Sequence, residues 1–396
     1  DIDKINKLGH KIHELNQQIS KIEAGGIETA MDLRDERDLA LDQLGALAKI
    51  SYKEDYKGVV TVKLEDEYFV DELHTYEIGK KTDKLTGFIT PYWPQLSDTD
   101  RDIYVNVFDF NVDISTALNS DVGELKALIM SRGDHWADYS DIEGKGEQEY
   151  LDTTNLSVII DMQAKLDQMV HNMITAINDQ LCPNVTGPVG VTYQDANGNT
   201  VNLSDAKVLD TENCARGSDG ELPPRELFVR AGIERYTEVT GSDGKTYYVY
   251  NEEDTSDTSY MYSLTSCGVN EELKKIETLF PHLKQNGEVD QQLGERLEAL
   301  WNKDLVGLDP TDPDECNIEE YYQKMIGGLA TVGNVYQKKA ENLAGSVLTI
   351  ENNRQQVIGV SSDEELQNMI KFQNAYNASS RFMTVISDMI EHIVTR

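Results

Sequence analysis

The chain has 396 residues, which is room for two or three domains. Its 71 acidic side chains outnumber the 36 basic ones, and the formal charge of -35 disfavours binding to nucleic acid or to an anionic lipid surface. No apolar run approaches the roughly 18 residues of a membrane-spanning helix, so we expect no membrane insertion. The chain begins at Asp1 inside a helical pattern, which predicts that it is a piece of a longer protein.

Two helices are predicted within residues 1–49, the first part of a helical rod. Between Ile2 and Ala24 apolar residues recur at steps of three and four, which is the spacing of a coiled-coil seam. A second helix is expected from about Thr29 to Ala48, and it contains the charged string DLRDERD. Because a short loop with two glycines separates the helices, we expect them to pack as an antiparallel pair.

Two segments, residues 50–122 and 182–268, carry strand patterns that interrupt the helical ones. In the first, VVTVKL and IYVNVFDFNVDI (103–114) are rich in β-branched residues and are bounded by turn residues. In the second, DANGNT and SDGKT are typical of hairpin turns. We expect each segment to form an inserted β-rich subdomain.

The remaining segments are predicted to be mainly helical. Residues 123–181 form the second part of the rod, 269–317 a connector of helices and an acidic loop, and 318–396 the C-terminal part, which begins with a long helix. The pattern predicts an α+β fold, with an elongated coiled-coil rod built from both chain ends and two inserted β-rich subdomains. The seam expected in the second part is Leu156, Ile159, Leu166, Val170, Met173 and Ile177.

Residues 359–365, which read GVSSDEE, predict a boundary between two C-terminal helices. Gly359 allows the first helix to stop. Ser361 or Ser362 can cap the second, and the acidic side chains that follow are favoured at the positive end of its dipole. We therefore predict a helix from near Asp363. Its expected apolar side comprises Leu366, Met369, Ile370, Tyr376, Met383, Ile386, Ile390 and Ile393.

No pattern in the chain predicts catalysis, a cofactor or a bound metal. His10 and His13 are three residues apart and could share a metal ion, but they lie beside the apolar seam, so exposed histidines without a metal are expected. The acidic strings lack the glycine and distal glutamate of an EF-hand loop, and no nucleophile or phosphate-loop motif occurs. We therefore expect that the chain is not an enzyme.

The chain contains four cysteines, none of them in a C-x-x-C arrangement, so structural zinc is not expected. The sequence does not define the redox compartment, and two disulfides, one disulfide or four free thiols all remain open. The candidates for disulfide formation are Cys182, Cys214, Cys267 and Cys316.

Several strings resemble the FlgK family of flagellar hook-associated proteins. LRDERDLALDQL (33–44) resembles the family's helix with Asp-Gln-Arg-Asp, and GELKALIMSRGD (123–134) resembles its Gly-x-Leu-x-x-Leu-x-x-x-Arg helix entry. Residues 352–394 resemble its Gly-Val-(Ser/Asn)-Leu-Asp-Glu-Glu turn followed by Tyr-Gln-x-x-Tyr-x-Ala. Ser362 stands where leucine is usual and Phe372 where tyrosine is usual. The family's N-terminal strings do not occur, which implies that the chain lacks the N-terminal region.

The resemblance implies a structural protein of the bacterial flagellum, an adaptor at the junction of hook and filament that filament assembly requires. It further implies an extracellular location, reached through the flagellar export apparatus. The implied partners are the hook protein, hook-associated protein 3, further copies of the chain in a ring or tube, and a cytoplasmic export chaperone. We assign assembly and chaperone contacts to the C-terminal face of Met369, Ile370, Tyr376, Met383, Ile386 and Ile390.

Three other interpretations remain open, one for the C-terminal face and two for the function of the chain. The C-terminal face could pack against the helix at residues 2–22 of the same chain. The chain could also be an extracellular coiled-coil scaffold or adhesin, or carry an enzyme domain on a filament protein. Binding to hook protein and hook-associated protein 3 distinguishes a flagellar adaptor from a generic scaffold.

Overall fold

The computed structural model describes residues 1–26, 28–84, 86–108, 122–196, 198–358 and 362–394. The chain divides into two compact units, Asp1–Ile326 and Gly327–Arg396. Helices predominate, and the strands of the first unit form small antiparallel sheets. The predicted α+β class is therefore confirmed, whereas the coiled-coil rod stays a prediction.

The first unit opens with helices α1 (Ile2–Glu23) and α2 (Met31–Leu47), close to their predicted bounds. The two helices pack against each other. The predicted seam of α1 is buried from Ile2 to Ile19, where α2 and the strands that follow cover it. Apolar spacing therefore predicted both the helix and its buried side, because that side faces a core built from residues close in sequence.

A three-stranded sheet, in the order β1-β2-β3, and a separate β4–β5 hairpin follow the two helices. The middle strand alternates as a half-buried strand should, with Val60, Val62 and Leu64 directed into the core that α1 and α2 share. Helices and sheet therefore have one common core. The strands are β1 (Ile50–Glu54), β2 (Val60–Leu64), β3 (Glu67–Val70), β4 (Gly79–Thr82) and β5 (Ile89–Tyr92).

The strand predicted over 103–114 is not formed in the part of it that the structure describes. In residues 103–108, Ile103 and Asn106 make only isolated bridges, to Asp98 and Tyr92. The rest of that segment, 109–114, lies outside the described residues. The alternating pattern was a poor guide because Val107 and Phe108 fill the common core from an irregular loop.

Helices α3 (Glu124–Arg132), α4 (Glu147–Asp152) and α5 (Val158–Leu181) follow, in the region predicted to be helical. The seam predicted for this region is wrong in its first half, where Leu156, Ile159 and Leu166 are exposed, whereas Ile177 packs against a buried cluster. The buried side of α5 is partly polar instead. Asp167 accepts hydrogen bonds from the backbone N–H groups of Tyr139 at 2.9 Å and of Leu264 at 2.6 Å. Hydrogen bonds to loops distant in sequence therefore determine which face of α5 is buried.

The second β-rich segment contains a four-stranded antiparallel sheet in the order β11-β12-β9-β6, with hairpin β7–β8 and pair β10–β13 beside it. Both predicted hairpin turns are confirmed: DANGNT joins β7 to β8, and SDGKT joins β11 to β12. The strands are β6 (Asn184–Thr186), β7 (Thr192–Gln194), β8 (Thr200–Asn202), β9 (Lys207–Leu209), β10 (Phe228–Arg230), β11 (Tyr236–Thr240), β12 (Thr246–Tyr250) and β13 (Cys267–Val269).

The described part of the chain ends in four α-helices, of which the last two are long. Two short ones, α6 (Glu271–Lys275) and α7 (Gln291–Ala299), belong to the first unit. The two long ones are α8 (Ile318–Ile358) and α9 (Ser362–Val394), at the predicted positions. Only the first residues of α8, up to Ile326, belong to the first unit.

Candidate assembly surface

The start of α8 is held in the first unit by a buried polar cluster. The ammonium group of Lys165 lies 2.9 Å from a carboxylate oxygen of Asp161 and 2.9 Å from one of Asp309. The hydroxyl of Tyr321, on α8, lies 2.9 Å from the carbonyl oxygen of Lys165. Burial acts to raise the pKa of Asp309, but hydrogen bonds from Thr311 and Lys165 outweigh it and the pKa is lowered. The carboxylate thus stays charged at neutral pH.

Packing around α8 ends soon after this cluster. Tyr321 and Met325 are buried against residues that include Leu308 and Cys316. Ile326 is exposed, and so are the apolar side chains farther along the helix, among them Leu343 and Ile350. From Gly327 onward α8 therefore presents apolar surface without burial.

The six residues of the predicted C-terminal face are placed on α9, largely open to solvent. Met369, Tyr376, Met383 and Ile390 are seven residues apart, form one heptad stripe, and are 56–75% exposed. Ile370 is also exposed, and Ile386 is half-buried. A regular apolar stripe of this kind is typical of a helix that packs lengthwise against another helix. Their role in assembly or chaperone binding stays a prediction.

Three apolar residues of α9 that the sequence pattern did not assign to this face also belong to it. Phe382, Val385 and Met389 are 65%, 49% and 62% exposed. At about 100° per residue they extend the stripe, so that apolar side chains cover an arc of roughly 160° in the C-terminal half of α9. Their spacing of three and four residues was the available signal. We call the six residues of the predicted C-terminal face, together with these three, the α9 apolar surface.

The turn that predicted the start of α9 is only partly described. Residues 359–361, including Gly359, lie outside the described residues, so neither the helix stop nor the capping box is placed. The helix begins at Ser362, with Asp363, Glu364 and Glu365 in its first turn. This agrees with the predicted start, and negative charge at that end is favoured by the helix dipole.

One arginine in the DLRDERD string has a structural role that the sequence interpretation passed over. Arg37 on α2 is 1% exposed. Its guanidinium donates to the carbonyl oxygen of Gly58 at 2.6 Å, to Asn16 Oδ1 at 3.1 Å and to Glu54 at 3.0 Å. It thereby joins both helices to the β1–β2 turn. The available signal was its spacing, four residues after Leu33 and four before Leu41, on the apolar side of α2.

The other candidate residues remain apart from one another. His10 lies 2.6 Å from Glu77, whereas His13 lies 3.3 Å from the carbonyl oxygen of Asp71. Among the described residues, no group of three or more His, Cys, Asp or Glu side chains is arranged to hold a metal ion. The four cysteines are free thiols, and burial raises the pKa of each; three are buried and one is half-buried: Cys182, Cys214, Cys316 and then Cys267.

Comparison with known proteins identifies the family. The family model for the flagellar hook-associated protein FlgK helical domain matches residues 1–190, and the model for the flagellar basal body rod FlgEFG protein C-terminal region matches 355–395. Flagellar hook-associated protein 1 of Bacillus subtilis (strain 168) is 23% identical over 410 residues, which cover 98% of this chain. The chain belongs to the FlgK family. The resemblance inferred from short strings is therefore confirmed.

The two family models match opposite ends of the chain. The FlgK helical-domain match extends from α1 past α5, and the FlgEFG C-terminal match includes all of α9. The chain spans 63% of the length of the Bacillus relative. The solved structure of the flagellar hook junction protein FlgK from Burkholderia pseudomallei aligns at 13% identity and a TM-score of 0.42, covering 91% of this chain and 83% of that one.

In the part of this FlgK-family chain that the structure describes, no helix combines the length and the apolar character needed to cross a membrane. Members of the family are structural components of the flagellum.

Proposed function

We propose that this chain is the structural adaptor between the flagellar hook and the filament, and that it has no catalytic activity. It is located outside the cell, at the flagellum, after passage through the flagellar export apparatus. Family membership supports this proposal, as does the Bacillus relative, which is named for association with the hook.

The observation that carries the proposal is the α9 apolar surface. A helix in water ordinarily buries its apolar side, and a partner helix covers a seam narrower than the roughly 160° arc of α9. Exposed apolar surface on this scale marks a protein-protein contact. The width of the arc favours burial between two neighbouring helices, as in a tubular assembly of many copies.

Packing of this surface on α1 of the same chain is not favoured. The α1 seam is already covered within the first unit, and Ile5, Ile12 and Ile19 are fully buried there. A helix whose apolar side is occupied has no comparable surface left for α9. We propose other chains as the occupants of this surface: hook protein, hook-associated protein 3, further copies of this chain and, before export, a cytoplasmic chaperone.

The test uses three aspartate substitutions on α9 in the full-length protein, expressed in a motile host that lacks its own copy. Met383 and Val385 lie at the two edges of the apolar arc, and Thr384 lies on the polar side between them. A buried, unpaired aspartate costs at least several kcal/mol. We expect Met383→Asp and Val385→Asp to abolish filament attachment and swimming, whereas Thr384→Asp should retain both.

Each outcome of this test bears on a different part of the proposal. Normal swimming by both edge variants would contradict the assembly role of α9. If Met383→Asp alone lost filament attachment, only one edge of the arc would contact a neighbouring helix, which would contradict burial between two helices. Hook protein and hook-associated protein 3, each immobilised, should retain the wild-type protein and lose the edge variants.

A further inference from the structure

Two consecutive glycines, Gly327 and Gly328, lie inside helix α8 where no contact of the described chain calls for them. Apart from its chain neighbours and the adjacent backbone of its own helix, a Cβ atom built on either glycine would meet no described atom within 4 Å. Glycine within a helix usually permits a close approach of backbone or side chain, because any other residue would clash there. Here the space is open, so packing within the chain does not explain the pair.

The position of the pair coincides with the end of packing around α8. Among the described side chains of α8, Met325 is the last that is buried; Ile326 is exposed, and the second compact unit begins at Gly327. The residues before the pair are held by the polar cluster of Lys165 and Tyr321. The residues after it have no comparable burial among the described residues. The weakest helix formers other than proline therefore occupy the point where tertiary support stops.

We propose that the Gly327–Gly328 pair interrupts the cooperativity of α8. The folded first unit does not impose helical order on residues 329–358, and these residues lose and regain helix while the first unit stays folded. The purpose of this interruption rests on the proposed function. A chain that is exported and then ordered by its neighbours needs C-terminal helices that fold and unfold independently of the first unit.

The size of the effect follows from helix propensity. Relative to alanine, each glycine reduces the statistical weight of the helical state roughly fivefold, so the pair reduces propagation from the anchored start of α8 by about 25-fold. Gly333 and Gly345, which lie farther along the same helix and are equally free of contacts with the described atoms, provide a matched comparison. They lie beyond the point where packing around α8 ends, so they do not separate its anchored residues from the helical turn that follows.

The experiment is millisecond hydrogen exchange with mass spectrometry on the isolated chain, at one pH and temperature. The readout is the ratio of protection between amides 322–326 and amides 329–332. In the wild-type chain we expect protection to fall sharply across the pair. The double variant Gly327→Ala/Gly328→Ala should raise protection of amides 329–332 by about 25-fold, whereas Gly333→Ala/Gly345→Ala should raise it by at most about fivefold.

Equal effects of the two double variants would overturn the proposal, because the junction would then be no different from any glycine in α8. A rise of less than threefold in the junction variant would overturn it as well. Neither measurement involves hook proteins or swimming, so this inference can fail while the assembly role of α9 stands, and the reverse also holds.

Discussion

Replacement of Arg37 by leucine tests whether one buried cation joins the helices of the first unit to its sheet. Leucine keeps much of the apolar volume and removes the guanidinium. The carbonyl of Gly58 then loses its 2.6 Å donor, and the part-exposed Glu54 loses one of its two arginine partners. Asn16 Oδ1 still accepts from the backbone N–H of Val60. The loss is therefore concentrated at Gly58.

The magnitude follows from these contacts. An unsatisfied buried carbonyl costs about 1–3 kcal/mol, and a hydrogen bond from a charged donor contributes about 1.5–3 kcal/mol. Part of this is offset, because Arg37 Nε is buried without a hydrogen-bond partner among the described residues, and leucine removes that donor. We expect Arg37→Leu to lower the free energy of unfolding of the first unit by about 3 kcal/mol, a large share of the roughly 5–15 kcal/mol typical of a domain.

The assay is urea denaturation followed by fluorescence of Trp93, which is buried in the same core as α1 and α2. Trp136 and Trp301 are exposed and are replaced by phenylalanine in every protein compared, so that Trp93 is the sole reporter. The matched control is Arg34→Leu. Arg34 also binds Glu54, as well as Glu23, but its side chain is 27% exposed, and its loss should cost about 1 kcal/mol.

An equal loss of stability in Arg37→Leu and Arg34→Leu would refute this reasoning, because burial would then have no influence on how much an arginine contributes to the free energy of unfolding. A loss below 1 kcal/mol for Arg37→Leu would refute it as well.

Three further expectations follow from the described contacts. Lys165→Met leaves the buried carboxylate of Asp309 and the half-buried carboxylate of Asp161 without their cation, and it should destabilise the first unit by about 3–5 kcal/mol in urea denaturation. The same change at the exposed Lys207 should alter the free energy of unfolding by less than about 1 kcal/mol. Hydrogen bonding to Asp141 raises the pKa of His135 to about 9, so the stabilisation of the first unit by this pair should be present below about pH 6.5 and be lost as pH rises through 9. Because the side chain is half-exposed, this stabilisation should amount to at most about 1 kcal/mol. His135→Asn should remove this pH dependence of the unfolding free energy. With a thiol reagent at pH 8, Cys267 should react first in the folded chain and four thiols should react in urea, and a count of two or none under urea would indicate disulfides.

Much of the secondary structure follows from local patterns. The helices α1, α2, α8 and α9 and the hairpins β7–β8 and β11–β12 lie where apolar spacing and turn residues predict them. The reason is that helix periodicity and hairpin turns depend on residues within one or two turns of each other. The heptad stripe of α9 is equally local, which is why four of its residues could be named before any fold was known.

The buried faces set by distant segments could not be obtained in this way. The α5 helix was predicted, but its buried side is determined by hydrogen bonds from Tyr139 and Leu264 to Asp167. Leu264 lies 97 residues from Asp167 in the chain. The irregular residues 103–108 contribute to a core that α1, α2 and β2 build, so their alternating pattern did not indicate a strand.

By itself, the sequence determined where the main helices and two of the hairpins form, which side of α1 and α9 is apolar, and which family the chain resembles. Tertiary structure alone decided that the seam of α1 is buried and that of α9 is exposed, although both have the same spacing. It also decided that Arg37 is buried and that packing around α8 ends before Gly327. The physical reason is that apolar spacing records which side of a helix avoids water, whereas the partner that covers this side is chosen by contacts between residues far apart in the chain.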